Sequence, residues 1–478
     1  MEPALQTVTT NLHEIAVGGK PLLFHIPSTS LFERDRLTGD VLDLLREQSL
    51  TRSEVIAALS HEHASEDVDT ALDELTRLSL LAPGGDAGVV VPFKPIALDK
   101  VPLTTVVLNV NTGCNLSCSY CYKEDLDTPQ NQRKMEFATA VQSIDMLLQE
   151  SPDQDRYNVV FFGGEPLSNL PLIKEVIEYS EKTFGALGKK VDFSLTTNAT
   201  LLTEKVIDYL NAHKVGIAVS IDGPKAYHDR NRITVGGQGT YETVEKKVGL
   251  LLSRYNSRPV GARVTLTTGI TDIHTIWDHL FNNLGFAEVG FAPVTSGDIA
   301  TYNLTPEELT NVFTGMKQLG ELYLQAALEN RSIGFSNLHQ LLTDLHEGNK
   351  KALPCGAGVG MVAVDHEGGV NLCHRFTGSE LPLLGTVSDG IDKPALNSFL
   401  NQRLDKSNTA CSTCRIRNLC AGGCYHESYA RYGDPIHPTY HYCDLMRDWV
   451  DFGIYVYTTI MEKNPEFYER FIAPRRAG

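Results

Sequence analysis

At 478 residues the chain is longer than one hydrophobic core usually supports, so two to four domains are expected. Its 42% apolar content is ordinary for a globular protein. No run approaches the roughly 20 apolar residues that cross a bilayer, which excludes a membrane-spanning reading. A net charge of −17 argues against nucleic acid as a partner. The first residues lack the basic and apolar segments of a secretory signal, so a cytoplasmic, thiol-reducing setting is expected.

In chain order, residues 1–95 read as a winged-helix-like module and linker. A strand pair, Pro21 to Ile26 and Ser30 to Glu33, precedes three helices. Val41, Leu44 and Leu45 mark the first helix. Val55, Ala58 and Leu59 mark the second, opened by a Thr51–Glu54 capping box. Val68, Leu72 and Leu75 mark the third. With no cluster of Lys and Arg for DNA, the module is expected either to recognise a peptide, by strand addition to a sheet edge, or to cap the next domain. A Gly- and Pro-rich linker runs from Gly84 to Pro95.

From Thr104 strands and helices alternate. Strands are expected at Val106–Val110, Asn158–Phe162, Asp192–Thr196, Gly216–Ile221, Gly261–Thr267 and Glu288–Ala292, with helices between them. Six such units predict an α/β fold, a partial (β/α)6 barrel over 96–310, with its site just after the strand ends. A helical bridge, 311–352, and a cysteine-rich region, 353–478, follow.

Of ten cysteines, three lie between 114 and 121 and seven after residue 354, a clustering that points to metal. Cys114, Cys118 and Cys121, in NTGCNLSCSYCYKE, stand on one loop with C-x3-C-x2-C spacing. Three thiolates can hold three corners of a [4Fe–4S] cube and leave one iron for S-adenosylmethionine; zinc would normally take four ligands in two pairs. Tyr120 either covers the adenine or packs the loop. After the second strand comes GGEP, Gly163, Gly164, Glu165 and Pro166, whose glycines allow close backbone approach and whose carboxylate suits the methionine ammonium. Ser194, Thr196 and Asn198 end the third strand, and Ser220 and Asp222 the fourth. Arg232 follows in DGPKAYHDRNR, as a fork for a carboxylate. Each alone reads as a turn or cap residue; their recurrence on one rim points to a cofactor site.

These motifs resemble the radical S-adenosylmethionine (SAM) superfamily. The later cysteines resemble its SPASM extension, which carries two auxiliary [4Fe–4S] clusters. The resemblance implies Cys355, Cys373 and Cys424 at the first auxiliary cluster and Cys411, Cys414, Cys420 and Cys443 at the second. No cysteine lies within 356–362, where some relatives supply a fourth ligand, so one iron is either open or closed by another residue. His374 stands where sulfatase-maturing relatives place an acidic base, and reads as a base or as a packing residue. Over FHIPSTSLFERD, NVVFFGGEPLSN, SNLHQLLTDLHEG and CRIRNLCAGGCYHESYARYGDP the chain resembles the family of quinohemoprotein amine dehydrogenase maturation proteins. That resemblance implies thioether bonds from Cys sulfur to methylene carbons of Asp or Glu in the dehydrogenase small subunit. A flavodoxin or ferredoxin would donate electrons. Arg375, His374 and Arg415 are candidates to hold the substrate carboxylate. The alternatives are another SPASM peptide maturase, making sactipeptide-type thioethers or formylglycine, and a non-catalytic iron–sulfur carrier.

Overall fold

The computed structural model describes residues 2–88, 93–122, 133–295 and 300–472. The expected linker residues 89–92, and Lys123 and Glu124 of the cysteine-loop motif, lie outside them. The first module is built from β1 (Leu5–Thr7), β2 (Leu12–Val17), β3 (Lys20–His25), β4 (Ser30–Glu33), α1 (Arg36–Glu47), α2 (Arg52–Leu59), α3 (Ser65–Arg77) and β5 (Leu81–Pro83). Strands β2, β3 and β4 form an antiparallel sheet, and β1 pairs with β5. Val41, Leu42, Leu45, Val55, Val68 and Leu72 are completely buried in a separate small core. The Thr51–Glu54 capping box is present. Two details of the expected faces change: Leu42 replaces Leu44 as a fully buried residue of α1, and Ala58 is exposed.

The βα units follow as β6 (Thr105–Asn109), α4 (Phe137–Glu150), β7 (Arg156–Phe162), α5 (Leu170–Ala186), β8 (Lys190–Thr197) and α6 (Glu204–Ala212). They continue with β9 (Gly216–Ser220), α7 (Lys225–Asn231), α8 (Tyr241–Arg254), β10 (Gly261–Leu266), α9 (Ile273–Asp278) and β11 (Glu288–Pro293). The six strands pair in parallel in chain order. In β7, fully or almost fully buried Tyr157, Val159 and Phe161 alternate with half-buried Val160 and Phe162. The first set packs beneath the helices, at about 1.5–3 kcal/mol per fully buried large side chain. The opposite face is only half covered, and it carries Ser194 and Thr196 on β8 and Ser220 on β9.

Helices α10 (Pro306–Leu328) and α11 (Ser336–His346) form the bridge. Then come β12 (Met361–Val364), β13 (Val370–Asn371), β14 (Gly385–Thr386), β15 (Gly390–Ile391), α12 (Lys393–Leu404), α13 (Arg417–Cys420), α14 (Tyr425–Tyr432) and α15 (Cys443–Lys463). The partial barrel is extended by this region: β12 adds in parallel beside β6, and β13 adds antiparallel to β12, giving eight strands in one sheet. The N-terminal module is anchored on the C-terminal region. Arg417 donates to the Thr10 carbonyl at 2.7 Å and to Asn11 Oδ1 at 2.8 Å, and His13 pairs with Asp451 at 3.0 Å. No helix among the described residues is long and apolar enough to cross a membrane.

Candidate functional site

The cysteine loop leaves the C-terminal end of β6 and is fastened at successive residues. The Cys121 amide donates to the Cys118 carbonyl at 2.9 Å, and the Ser117 and Ser119 amides donate to the Ile233 and Asn231 carbonyls, each at 2.9 Å. Cys114, Cys118 and Cys121 lie within electrostatic reach of one another. Burial pushes the Cys114 thiol up to about 11 and the Cys118 thiol up to about 12.

GGEP lies directly against this loop. A Cβ on Gly164 would stand 2.2 Å from the Gly113 carbonyl oxygen and 2.8 Å from the Cys114 nitrogen. One on Gly163, at φ +147°, would meet Asn111 Oδ1 at 2.3 Å. The close approach these glycines allow is therefore to the cysteine loop's own backbone, a correction to their expected approach to a ligand. Glu165 is 1% exposed and caps the short turn that begins at Pro166. It accepts from Thr197 Oγ1 at 2.7 Å, from the Asn198 amide at 2.8 Å and from the Leu167 amide at 3.0 Å. Burial raises its carboxyl to about 7, against these three hydrogen bonds, and no cation is among its described electrostatic neighbours. Asn198 donates to Asn115 Oδ1 at 3.0 Å and to Cys114 Sγ at 3.7 Å, tying the third strand end to the loop.

The fourth strand end is organised internally. Asp222, wholly buried, accepts from Tyr120 Oη at 2.7 Å, Arg232 Nε at 2.9 Å and the Thr265 amide at 3.0 Å. Arg232 also lies over the Tyr120 ring at 5.5 Å. Asp222 is thus enclosed, where a rim position facing the cofactor was expected: its oxygens hold Tyr120 and the guanidinium beside Cys118. The side chains of Ser194, Thr196 and Ser220 are half-buried on the open face, with no hydrogen bond to another described residue.

The later cysteines gather as two groups. Cys355, Cys373 and Cys424 are mutual electrostatic neighbours, and so are Cys411, Cys414, Cys420 and Cys443. Burial pushes Cys373 up to about 12 and Cys443 up to about 11. No disulfide joins any of the ten cysteines. Among the described residues no three of their sulfurs lie within 4.8 Å of one another.

His374 lies against the Phe162 ring, centroids 4.3 Å apart, so it stands at the end of β7 immediately before GGEP. Arg375 donates to Thr295 Oγ1 and lies over the Tyr122 ring at 5.2 Å. Arg415 is committed to Asp451 at 2.8 Å, beside the N-terminal module, and is removed from the list of carboxylate-binding candidates. The sequence reading missed three residues. Asn111 donates to the Glu165 carbonyl at 3.0 Å and has a buried, unpartnered Oδ1. Tyr122 is an electrostatic neighbour of both Cys121 and Cys373, with a buried, unpartnered hydroxyl; its position directly after the third cysteine was the available signal. Arg403 gave none.

Comparison with known proteins bears on the fold. A family model described as Radical SAM superfamily matches residues 108–280. The chain is 24% identical over 367 residues to the cysteine-type anaerobic sulfatase-maturating enzyme of Clostridium perfringens, covering 74% of this chain and 96% of that one. Native anSMEcpe with bound AdoMet has a similar structure, with a TM-score of 0.63 and 21% identity, over 76% of this chain and 100% of that one. Streptococcus suis SuiB bound to precursor peptide SuiA gives 0.51 and 13%, over 92% and 99%. The fold is therefore the radical SAM α/β fold, and the chain's relatives include an anaerobic sulfatase-maturating enzyme.

Proposed function

We propose that this chain is a radical SAM peptide maturase that holds S-adenosylmethionine against a [4Fe–4S] cluster on Cys114, Cys118 and Cys121. The observation that carries this reading is the buried carboxylate of Glu165, which has no described cation and is tied through Asn198 to the loop of Cys114. A methionine ammonium would supply that missing charge. When bound, the cluster and S-adenosylmethionine supply a 5′-deoxyadenosyl radical that removes hydrogen from a peptide side chain. Glu165, with Gly163, Gly164 and Pro166 fixing its backbone, orients the ammonium. Asn198, Ser194, Thr196 and Ser220 offer polar groups to the ribose and carboxylate. Asp222 steadies Arg232 and Tyr120 beside Cys118. Cys355, Cys373 and Cys424 hold a first auxiliary cluster, and Cys411, Cys414, Cys420 and Cys443 a second.

The finer reading is thioether formation between Cys and the methylene carbon of Asp or Glu in the small subunit of quinohemoprotein amine dehydrogenase, with a flavodoxin or ferredoxin as donor. Two features support it. The first auxiliary group has three cysteines, which leaves an iron for a substrate thiolate. Arg375, two residues from Cys373, has only neutral partners among those described and suits the substrate carboxylate; in this reading the neighbouring His374, set against Phe162, would take the proton. The relatives found favour the broader alternative more directly, in which a different peptide is modified, to formylglycine or to another thioether.

Anaerobic reconstituted enzyme with S-adenosylmethionine, reductant and the candidate subunit tests both levels by mass spectrometry. Loss of two hydrogens per crosslink with 5′-deoxyadenosine supports the finer reading. Deoxyadenosine without peptide change removes that substrate and keeps the class. A chain that cleaves no S-adenosylmethionine is a carrier instead.

A further inference from the structure

Arg403, near the end of α12, is 3% exposed. Its Nη1 donates to the Ile436 carbonyl at 2.5 Å, and its Nη2 donates to the Gly422 and Gly423 carbonyls at 2.8 and 2.7 Å. Its Nε has no partner, and among the described residues no carboxylate pairs with it. Enclosing a guanidinium among neutral acceptors costs several kcal/mol unless negative charge stands nearby. The negative groups at hand are sulfurs of both C-terminal sets. Cys355 and Cys424 of the first set, and Cys411 and Cys420 of the second, are its electrostatic neighbours.

Two local features hold it between the sets. Ala421, Gly422 and Gly423 have φ of +56°, +94° and +81°, a left-handed run between Cys420 and Cys424 that turns two carbonyls onto the guanidinium. A Cβ on Gly422 would stand 3.3 Å from Nη2. On its other side the guanidinium lies over the Tyr425 ring at 5.2 Å, and Phe399 meets that ring edge-on at 5.3 Å. Tyr425 is 1% exposed, its hydroxyl is buried without a partner, and its electrostatic neighbours include Cys355, Cys373 and Cys424. A buried phenol needs an acceptor, and the thiolates of the first set are the negative groups among its electrostatic neighbours.

We propose that Arg403 is a counter-charge shared by the two auxiliary cluster sites, and that Tyr425 is a hydrogen-bond donor to the first of them. Both are positioning residues. The inference rests on the cluster reading above. Reduction adds negative charge to a cluster, so a fixed cation and an O–H donor each favour the reduced form and raise its potential.

The test uses the full chain carrying Cys114→Ala, Cys118→Ala and Cys121→Ala, so that only the C-terminal clusters load, with potentials read by EPR-monitored titration. Arg403→Gln should lower both potentials by about tenfold in the reduction equilibrium, ~59 mV for one electron. Tyr425→Phe should lower the first alone, and Arg403→Lys should leave both near their starting values. If the background chain binds no iron, the cluster reading falls, and this inference with it. If both clusters load and Arg403→Gln moves neither potential, only the shared counter-charge falls. Should Arg403→Gln fail to assemble, Arg403→Lys decides: potentials kept support the charge, and a tenfold drop overturns it. A Tyr425→Phe chain with an unmoved first potential removes the donor role.

Discussion

The loop of Cys114, Cys118 and Cys121 and the C-terminal cysteine region are held in place by different means. Around Cys114, Cys118 and Cys121 the restraints include backbone bonds between segments: amides of the loop bond to the Asn231 carbonyl at the end of α7 and the Ile233 carbonyl beyond it, and the Glu165 amide bonds to the Gly113 carbonyl at 3.1 Å. Around Cys411 to Cys443 the backbone bonds are mostly local turns, such as the Cys420 amide to the Ile416 carbonyl at 2.9 Å; separate segments are joined by the Thr439 amide, which donates to the Gly422 carbonyl at 2.9 Å, and by the guanidinium groups of Arg403 and Arg417. A loop held by backbone bonds to separate segments keeps its shape through most side-chain changes. A site held by a few guanidinium groups changes with each of them. Function should divide along the same line, with radical generation in the first region and completion of the product in the second.

The largest effect should come from removing one set of thiols at a time. Replacing Cys114, Cys118 and Cys121 with Ala should abolish S-adenosylmethionine cleavage entirely while the C-terminal sites still load iron. Replacing Cys355, Cys373 and Cys424 should leave cleavage measurable as 5′-deoxyadenosine and abolish the modified peptide. If the second set of substitutions also ends cleavage, the division of labour is wrong.

Next in size is Glu165→Gln. A charge-assisted hydrogen bond is worth roughly 1.5–3 kcal/mol, so S-adenosylmethionine should bind about 10- to 100-fold more weakly. A modest drop in melting temperature is expected as well, because the amide keeps one acceptor oxygen where the carboxylate uses two, against the neutral amide's smaller burial penalty. Calorimetric binding with a parallel melting curve separates the two; a lower melting temperature with unchanged affinity would make Glu165 structural.

A pair of glycines carries the comparison into the backbone. Gly164→Ala drives a Cβ into the Gly113 carbonyl at 2.2 Å and should cost ~1–3 kcal/mol of stability, with loss of iron at the first site. Gly433, at φ +68° after α14, has nothing within 4 Å of a new Cβ, so Gly433→Ala should cost only the left-handed strain, ~1 kcal/mol. Denaturant melts and iron content per chain read both, and equal costs would remove the contrast.

The βα units were legible to within a few residues because alternating apolar residues and strand-end polar clusters are local signals. The first cysteine triad was legible because its spacing is local; the division of the later seven came from the family resemblance, since spacing alone puts Cys424 in one run with Cys411, Cys414 and Cys420 although its neighbours are Cys355 and Cys373. Strand β12 joining the barrel edge was not legible, since Met361–Val364 reads as a short apolar run and its partner β6 lies some 250 residues away. Asp222 looked like a rim residue because the chain alone does not show that Tyr120, Arg232 and the Thr265 amide converge on its two oxygens. Arg403 was invisible for the same reason: its meaning lies in what surrounds it, and those groups come from α14 and the loops on either side.

The smallest effect concerns a histidine in each region. His228 accepts from the Asp222 amide at 3.4 Å, and its other ring nitrogen lies 3.0 Å from Thr240 Oγ1. Burial holds it down to about 4, and holds His426, two residues after Cys424, down to about 3. Both stay neutral in the fold at a pH where an unfolded imidazole, near 6.5, takes a proton. The unfolded chain then binds more protons, so the stability these groups contribute is present above about pH 6.5 and is lost as pH falls toward 4. Each adds a slope of at most ~1.4 kcal/mol per pH unit in that window. Urea melts at pH 7 and pH 5.5 should show wild type losing about 1 kcal/mol more than His228→Gln. Terms common to both chains, including titration of Glu165, cancel in that difference. A matching flattening in His426→Phe would show that acid weakens the two regions equally. Parallel slopes in all three chains would mean that neither histidine is held neutral by its surroundings.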